Sequence, residues 1–258
     1  MNQPDSLLRR LDDIGRTLSK RTTALCLIGL GSVGLERDRL DRFSDLDFFV
    51  IVRPGSKTDY LCDLSWLTDI APAVFHFANT VDGYKLLYED GVFCEFAVFE
   101  EAELDRIPFA PGRIVWKAEG VQDSLAIPRY LPKKETPPSI EWLLGEALTN
   151  LWVGLSRHHR GERCSAMKFI QGHALDRVID LIECTEAATN APRDPFNADR
   201  RLELRFPALA AHLPAFLQGY DRNRESALAI LSFLERRFPI EVGISQALRR
   251  LCQADPDA

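Results

Sequence analysis

The pattern of apolar and polar positions differs between the two halves of the chain. In the first half, short apolar runs alternate with polar turns, which is typical of strands connected by helices and loops. In the second half, apolar residues recur at helical spacing over long segments, which indicates amphipathic helices. The pattern therefore predicts an α/β (α+β) domain with a mixed β-sheet, followed by an all-α helical bundle domain.

The apolar runs of the first half place helices and strands in alternation. In chain order we predict a helix over 5–20, strands over 23–29 and 45–52, a helix over 58–70, and strands over 74–78, 84–88 and 92–99. The last two strands flank Glu89-Asp90-Gly91, and Asp-Gly is a strong signal for a tight hairpin. We therefore expect these two strands to pair with each other.

A proline-rich segment separates the two patterns. Residues 127–139 contain four prolines and a Lys-Lys-Glu run, which is typical of a linker. We therefore predict an α/β domain over 1–133 and a helical domain over 134–258. Within the second, helices are expected over 140–155, 162–188, 198–218, 223–237 and 243–253.

Composition and charge narrow the class of protein. The chain has a net charge of −6 with 46% hydrophobic and 27% charged residues, and its acidic excess lies mainly before residue 134. An acidic chain without a basic stripe argues against a nucleic-acid polymer as partner. Its six cysteines are isolated, no apolar run approaches the roughly 18 residues of a membrane span, and the first residues lack a signal-peptide pattern. We therefore expect a cytoplasmic protein that does not enter membranes.

The stretch that indicates chemistry joins two predicted strands. A Gly31-Ser32 turn follows the first strand, and after twelve further residues Asp45 and Asp47 open the next. Glycine lets a backbone approach phosphate closely, serine adds a hydroxyl donor, and a helix after Ser32 would add positive charge. Two carboxylates on one strand face can bind Mg²⁺. A lone Gly-Ser is usually a turn and a lone Asp-x-Asp a solvated strand face, but together at this spacing they indicate a nucleotide site.

This pattern, Gly-Ser-x₁₂-Asp-x-Asp, resembles the signature of the nucleotidyltransferase superfamily, which includes DNA polymerase beta and antibiotic-modifying enzymes. Within it, the chain is most similar to the lincosamide nucleotidyltransferases and next to the aminoglycoside adenylyltransferases. Residues 42–48 resemble their catalytic strand, 91–96 a later strand that bears a glutamate, and 150–162 the first helix and turn of their helical domain. The resemblance to the lincosamide enzymes covers nearly the whole chain.

The resemblance implies a set of site residues. Asp45 and Asp47 would hold Mg²⁺, with two ions expected, while Gly31 and Ser32 position the triphosphate. Glu95 matches the family's third carboxylate, which is either a metal ligand or the general base for the acceptor hydroxyl. Considered without the family, Glu95 lies in an apolar strand, where a carboxylate is costly unless a cation or hydrogen bonds satisfy it; the alternative is an edge-strand glutamate that faces water.

Several basic residues are candidates for the cation that contacts the triphosphate. Many relatives carry Arg or Lys shortly after Gly-Ser, but here residues 33–36 are Val-Gly-Leu-Glu, and Arg37 and Arg39 come later. The second domain offers Lys168, Arg163 and Arg160. The alternative for these residues is structural, because the basic residues up to Arg160 are typical of a helix C-terminus. Of the three, we name Lys168 as a nucleotide-binding residue.

The expected activity is transfer of a nucleoside monophosphate, with AMP the first expectation, from a nucleoside triphosphate to a hydroxyl of a small molecule. The resemblance implies an antibiotic of lincosamide or aminoglycoside type as acceptor, and hence antibiotic resistance. Two alternatives remain at this point. The same chemistry could modify a protein side chain, or the chain could be a nucleotide-binding regulatory module without catalysis. The sequence also leaves a homodimer open.

Overall fold

The structure is a computed structural model that describes residues 3–130, 138–194, 197 and 199–254. Two compact units divide the chain, Met1–Lys134 and Glu135–Ala258. The central part of the proline-rich segment predicted as a linker, residues 131–137, lies outside the described residues. Each unit is described by itself.

The first unit is built on a six-stranded mixed sheet. Its strands are β1 (Ala24–Gly29), β2 (Leu46–Val52), β3 (Ala73–Ala78), β4 (Gly83–Tyr88), β5 (Phe93–Glu100) and β6 (Arg113–Lys117). They lie in the order β3-β4-β5-β2-β1-β6. The pair β2–β5 is parallel and the other pairs are antiparallel. The prediction of a mixed sheet is confirmed, and β6 is a strand that the sequence pattern did not predict.

The two faces of this sheet pack against hydrophobic clusters of different size. Helices α1 (Gln3–Leu18), α2 (Lys57–Cys62) and α3 (Ser65–Thr68) belong to the first unit. Leu46, Phe48 and Val50 of β2 point into the larger core, which includes buried residues of α1 and α3. Residues at the alternate positions of β2, such as Ile51, belong to a smaller cluster. Because side chains alternate along a strand, Asp47 lies on the face of the smaller cluster.

The helix predicted over 58–70 is divided into two short helices. Asp63 lies between α2 and α3, and its carboxylate accepts hydrogen bonds from the backbone N–H and the hydroxyl of Ser65 at 2.9 and 2.7 Å. A side chain that accepts from the backbone two residues later favours a turn over a continuing helix. The break places Trp66 in the core, where its ring packs edge-on against Phe48 and Phe96.

Every described secondary-structure element of the second unit is helical. These elements are α4 (Ile140–His159), α5 (Arg163–Met167), a π-helical segment (Lys168–Ala174), α6 (Leu175–Thr185), α7 (Leu202–Arg205), α8 (Pro207–Ala210), α9 (Leu213–Phe216), α10 (Asn223–Arg237) and α11 (Val242–Gln253). The helix predicted over 198–218 is divided into α7, α8 and α9. Proline lies in the first turn of both α8 and α9, where the missing N–H and fixed φ start a helix rather than continue one.

Helix α4 shows how the second unit is held together. The hydroxyl of Ser139 accepts a hydrogen bond from the backbone N–H of Trp142 at 3.1 Å, which caps the helix. Leu143, Leu151 and other residues of one face are fully buried in a core formed by second-unit residues. Among the described residues, no helix has the length and apolarity that a bilayer crossing requires.

Candidate functional site

The Gly-Ser motif forms a tight turn at the end of β1. The backbone N–H of Leu30 donates to the carbonyl of Asp47 at 2.8 Å, which fixes the turn to β2. Gly31 has a φ of +51°, and Gly31–Val33 form a single turn of 3₁₀ helix. The α-helix that could have followed Ser32 is therefore replaced by one 3₁₀ turn, so any anion held here depends on local N–H groups rather than on a helix dipole.

Two glycines allow the chain to close on itself at this turn. A Cβ atom on Gly34 would lie 2.6 Å from the carbonyl oxygen of Gly29 and 2.8 Å from the carbonyl carbon of Leu30. A Cβ atom on Gly29 would lie 2.8 Å from the carbonyl oxygen of Val33. Because these neighbours are backbone atoms, no side-chain adjustment could make room. The Gly-x-Gly-x-x-Gly spacing over 29–34 thus serves the geometry of the turn.

The two aspartates lie beside this turn. Asp47 is the second residue of β2, and Asp45 comes one residue before the strand; both are half-buried. A Cβ atom placed on Gly31 would lie 3.7 Å from Oδ2 of Asp47, so the Asp47 carboxylate lies close to the turn. Cys94 is the register partner of Leu46, and its pKa is raised by burial and, further, by the negative charges of Asp45 and Asp47. Both carboxylates therefore act on the same end of the sheet.

Glu95 lies next to Asp47 across the parallel pair of strands. Asp47 and Glu95 are register partners, so the two side chains are on the same face. The Glu95 carboxylate is partnered on its other side: Lys85 Nζ lies 3.1 Å from Oε2, and the side-chain amide of Asn79 donates to Oε1 at 2.9 Å. The strand β5 lies between β4 and β2, so Glu95 is not on an edge strand, although its side chain is 42% exposed.

The residues at this end of the sheet fit a magnesium ion that is shared with a phosphate. In the described part of the chain, no group of three or more His, Cys, Asp or Glu residues could hold a metal ion by itself. Mg²⁺ usually binds through one or two carboxylates together with water and substrate phosphates. Asp45 and Asp47 supply that number of hard oxygen donors beside a turn suited to phosphate.

Sequence reasoning missed a cation at the turn. Arg113, the first residue of β6, donates from Nε and Nη2 to the carbonyl of Val33 at 3.3 and 3.1 Å. Burial lowers the pKa of Arg113, and the positive charge of Arg37 lowers it further. A strand prediction over 113–117 would have identified Arg113, because its register partner is Gly29 at the end of β1.

The basic residues expected from the second unit have different surroundings. Lys168 is exposed and begins the π-helical segment. Arg160 and Arg163 form ion pairs with Glu162 at 3.2 Å and Asp221 at 3.6 Å. Among these three, the structure thus gives acidic partners to Arg160 and Arg163.

Comparisons with known proteins give only distant similarity. No protein-family model matches the chain, and no curated protein sequence matches it. An aminoglycoside 6-adenyltransferase from Bacillus subtilis is similar in structure at 10% identity, with 99% of this chain and 93% of that chain covered and a TM-score of 0.33. A nucleotidyltransferase-like protein from Exiguobacterium sibiricum 255-15 is similar at 14% identity, with 95% and 76% covered and a TM-score of 0.34. Identities and scores of this size do not assign the chain to a family.

Proposed function

We propose that this protein is a Mg²⁺-dependent nucleotidyltransferase, with the nucleotidyltransferase fold in its first unit. The observation that supports the proposal is the approach of the Gly31-Ser32 turn to Asp47, which lies two residues after Asp45. A tight turn alone, or acidic residues at a strand end alone, is a common feature of proteins and does not indicate a function. Their proximity supports a site where a metal ion and a triphosphate would neutralise each other.

In this mechanism Asp45 and Asp47 would hold Mg²⁺, and two ions are expected. Bound metal supplies charge neutralisation at the α-phosphate of the nucleoside triphosphate. Gly31 and Ser32 hold the β- and γ-phosphates through backbone N–H and hydroxyl donors. Glu95 accepts the proton of the acceptor hydroxyl. The acceptor oxygen then bonds to the α-phosphorus, the bond from that phosphorus to the bridging oxygen breaks, and pyrophosphate leaves with the bonding electrons.

The acceptor in this proposal is a small hydroxylated molecule, and AMP is the group transferred. The acidic first unit favours a cationic acceptor over a polynucleotide, because like charges repel the phosphate backbone. Amine-bearing lincosamides and aminoglycosides have the required charge and hydroxyl groups. The resemblance, and not a geometry between the units, leads us to expect acceptor contacts from the helical unit and nucleotide binding by Lys168.

The test is a direct search for the product. Purified protein is incubated with Mg²⁺, each of the four nucleoside triphosphates in turn, and a panel of lincosamides and aminoglycosides, and mass spectrometry detects a nucleotidyl adduct. The expected result is an adenylylated antibiotic that forms with the wild type and is lost with Asp47→Asn. Cell extract is tested in a parallel incubation with labelled nucleotide. Label on a protein of the extract, with no small-molecule adduct, would contradict the proposed acceptor. Absence of metal-dependent nucleotide binding would contradict the proposal that the protein is a nucleotidyltransferase.

A further inference from the structure

The side chain of Glu95 is held by residues on the side of the sheet away from Asp47. Lys85 is the register partner of Glu95 across the antiparallel pair β4–β5, while Asp47 is its partner across the parallel pair β2–β5. Asp47, Glu95 and Lys85 therefore form one row across three adjacent strands, on one face. Within this row a carboxylate stands between a like charge and an opposite charge.

The contacts show which neighbour the Glu95 carboxylate favours. Lys85 Nζ lies 3.1 Å from Oε2, and Asn79 Nδ2 lies 2.9 Å from Oε1. Opposite charges that face each other across strands attract and like charges repel, so both forces draw the Glu95 carboxylate toward β4 and away from Asp47. Each carboxylate oxygen has about two lone-pair sites, so each oxygen keeps one site for a further donor.

The orientation of Asn79 agrees with this role. Its Oδ1 atom is buried and has no hydrogen-bond partner among the described residues. The amide is therefore oriented by its bond to Glu95 rather than by a bond of its own oxygen. The reverse orientation would place Oδ1 against a carboxylate oxygen, where neither atom can donate.

We infer that Lys85 and Asn79 are positioning residues that keep Glu95 outside the metal coordination sphere and present it to the acceptor hydroxyl. The inference rests on the proposed nucleotidyl transfer and assigns Glu95 the role of general base rather than metal ligand. The metal half of the site is then Asp45 and Asp47, and the acceptor half lies on the β4 side of Glu95. The remaining lone pairs of Glu95 receive the proton of the acceptor.

The variant Lys85→Met separates this role from simple stabilisation. The side chains of Lys85 and Glu95 are 35% and 42% exposed, and an exposed ion pair adds little to folding stability. Lys117 offers a matched control, because it is also a strand lysine whose Nζ pairs with an exposed carboxylate, Asp123, at 2.6 Å. Its strand, β6, is the sheet edge farthest from β4.

Two readouts are measured on the full chain. The first is binding of Mn²⁺ with α,β-methylene ATP, which cannot transfer AMP, followed by electron paramagnetic resonance of free Mn²⁺. Wild type, Lys85→Met, Glu95→Gln and Lys117→Met are expected to bind alike, while Asp47→Asn loses most of its affinity. The second is kcat with the best acceptor of the antibiotic panel. Lys85→Met and Asn79→Ala are expected to lose about 10- to 100-fold, a range typical of lost orienting partners, with Lys85→Arg recovering part of the loss.

Three outcomes would overturn the inference. A fall in Mn²⁺·nucleotide affinity for Glu95→Gln equal to that for Asp47→Asn would make Glu95 a metal ligand. A kcat for Lys85→Met equal to that of Lys117→Met would make the ion pair merely structural. If the wild type did not bind Mn²⁺·nucleotide, the proposed function would be overturned together with the inference. The first two outcomes overturn the inference alone.

Discussion

At the scale of single residues, the candidate site brings negative charges together at the cost of their mutual repulsion. Asp45, Asp47 and Glu95 lie at one end of two adjacent strands, and Lys85 forms an ion pair with Glu95. Like charges on neighbouring strand positions destabilise a sheet. In the proposed function, a bound divalent cation would reduce this repulsion.

Replacing Asp47 by asparagine tests the metal role of this residue. Asp47→Asn should lower turnover by at least about 100-fold, which is the usual effect of removing one stabilising group from a transition state. The melting temperature is measured beside turnover, so that a loss of catalysis is separated from a loss of folding. Asp69→Asn, at an exposed position after α3, is the control. Turnover of Asp47→Asn equal to that of Asp69→Asn would rule out the proposed metal site.

The tight turn gives a second prediction at the same scale. Gly34→Ala should lower the free energy of unfolding by roughly 1–3 kcal/mol, the usual range for overpacking, because its Cβ would lie 2.6 Å from a backbone oxygen. Gly145→Ala is the matched control in α4, since its Cβ meets nothing within 4 Å, and it should stabilise by about 0.5–1 kcal/mol. Urea unfolding measures both. Equal stability of the two variants would show that the close approach of the turn is not rigid.

The site residues also show which contacts can be predicted from a short stretch of sequence. Gly31, Asp45 and Asp47 belong to one short motif, so their proximity could be predicted from spacing. Lys85 could have been found as well, because it and Glu95 are equidistant from Asp90 in the predicted hairpin and so pair across it. Asn79 could not, since its contact depends on the path of the loop after β3. Arg113 required a prediction of the edge strand β6, which lacks alternating polarity.

At the scale of elements, long periodic segments were predictable and short ones were not. Helix α4 and the pairing of β4 with β5 follow from apolar spacing and from Asp90-Gly91, whose glycine has a φ of +83°. The break between α2 and α3 depends on one side-chain contact of Asp63, which periodicity does not contain. The π-helical segment over 168–174 lies within a helical segment that the apolar pattern predicted as regular.

The end of α4 gives a prediction about pH. His158 is buried, its Nδ1 has no hydrogen-bond partner among the described residues, and burial, then His159, Arg163 and Arg224, lower its pKa from 6.5. The unfolded chain therefore takes up the proton first as the pH falls. The stability that comes from keeping His158 neutral is complete above about pH 6.5 and is lost as the pH falls toward the lower, folded-state value.

His158→Phe should remove this part of the pH dependence. Phenylalanine keeps an aromatic ring in the buried position and does not titrate. Free energies of unfolding from urea titrations between pH 7.5 and 5.0 should fall less steeply for His158→Phe than for the wild type, with His76→Phe on the exposed strand β3 as comparison. A slope for His158→Phe that equals the wild-type slope would contradict the prediction.

At the scale of the whole molecule, the hydrophobic cores follow the division into two units. One buried cluster contains only residues from α4 to α11, and the other two contain only residues of the first unit. A compact unit with its own core can fold by itself. The two domains predicted from the change in apolar period, 1–133 and 134–258, remain a prediction, which is based on the need of each domain to bury its own apolar face.

The last prediction is that the two units unfold independently. Leu151 of α4 is fully buried, so Leu151→Ala should destabilise the helical unit by about 2–5 kcal/mol. Hydrogen exchange followed by mass spectrometry should show faster exchange in peptides from α4, α6 and α10, while peptides from β1, β2 and β5 keep wild-type rates. Thr149→Ala, at an exposed position of the same helix, should change neither set. If β2 peptides lost as much protection as α4 peptides in Leu151→Ala, the chain would unfold as one cooperative unit. A cavity in the core of the helical unit would then destabilise the first unit as well.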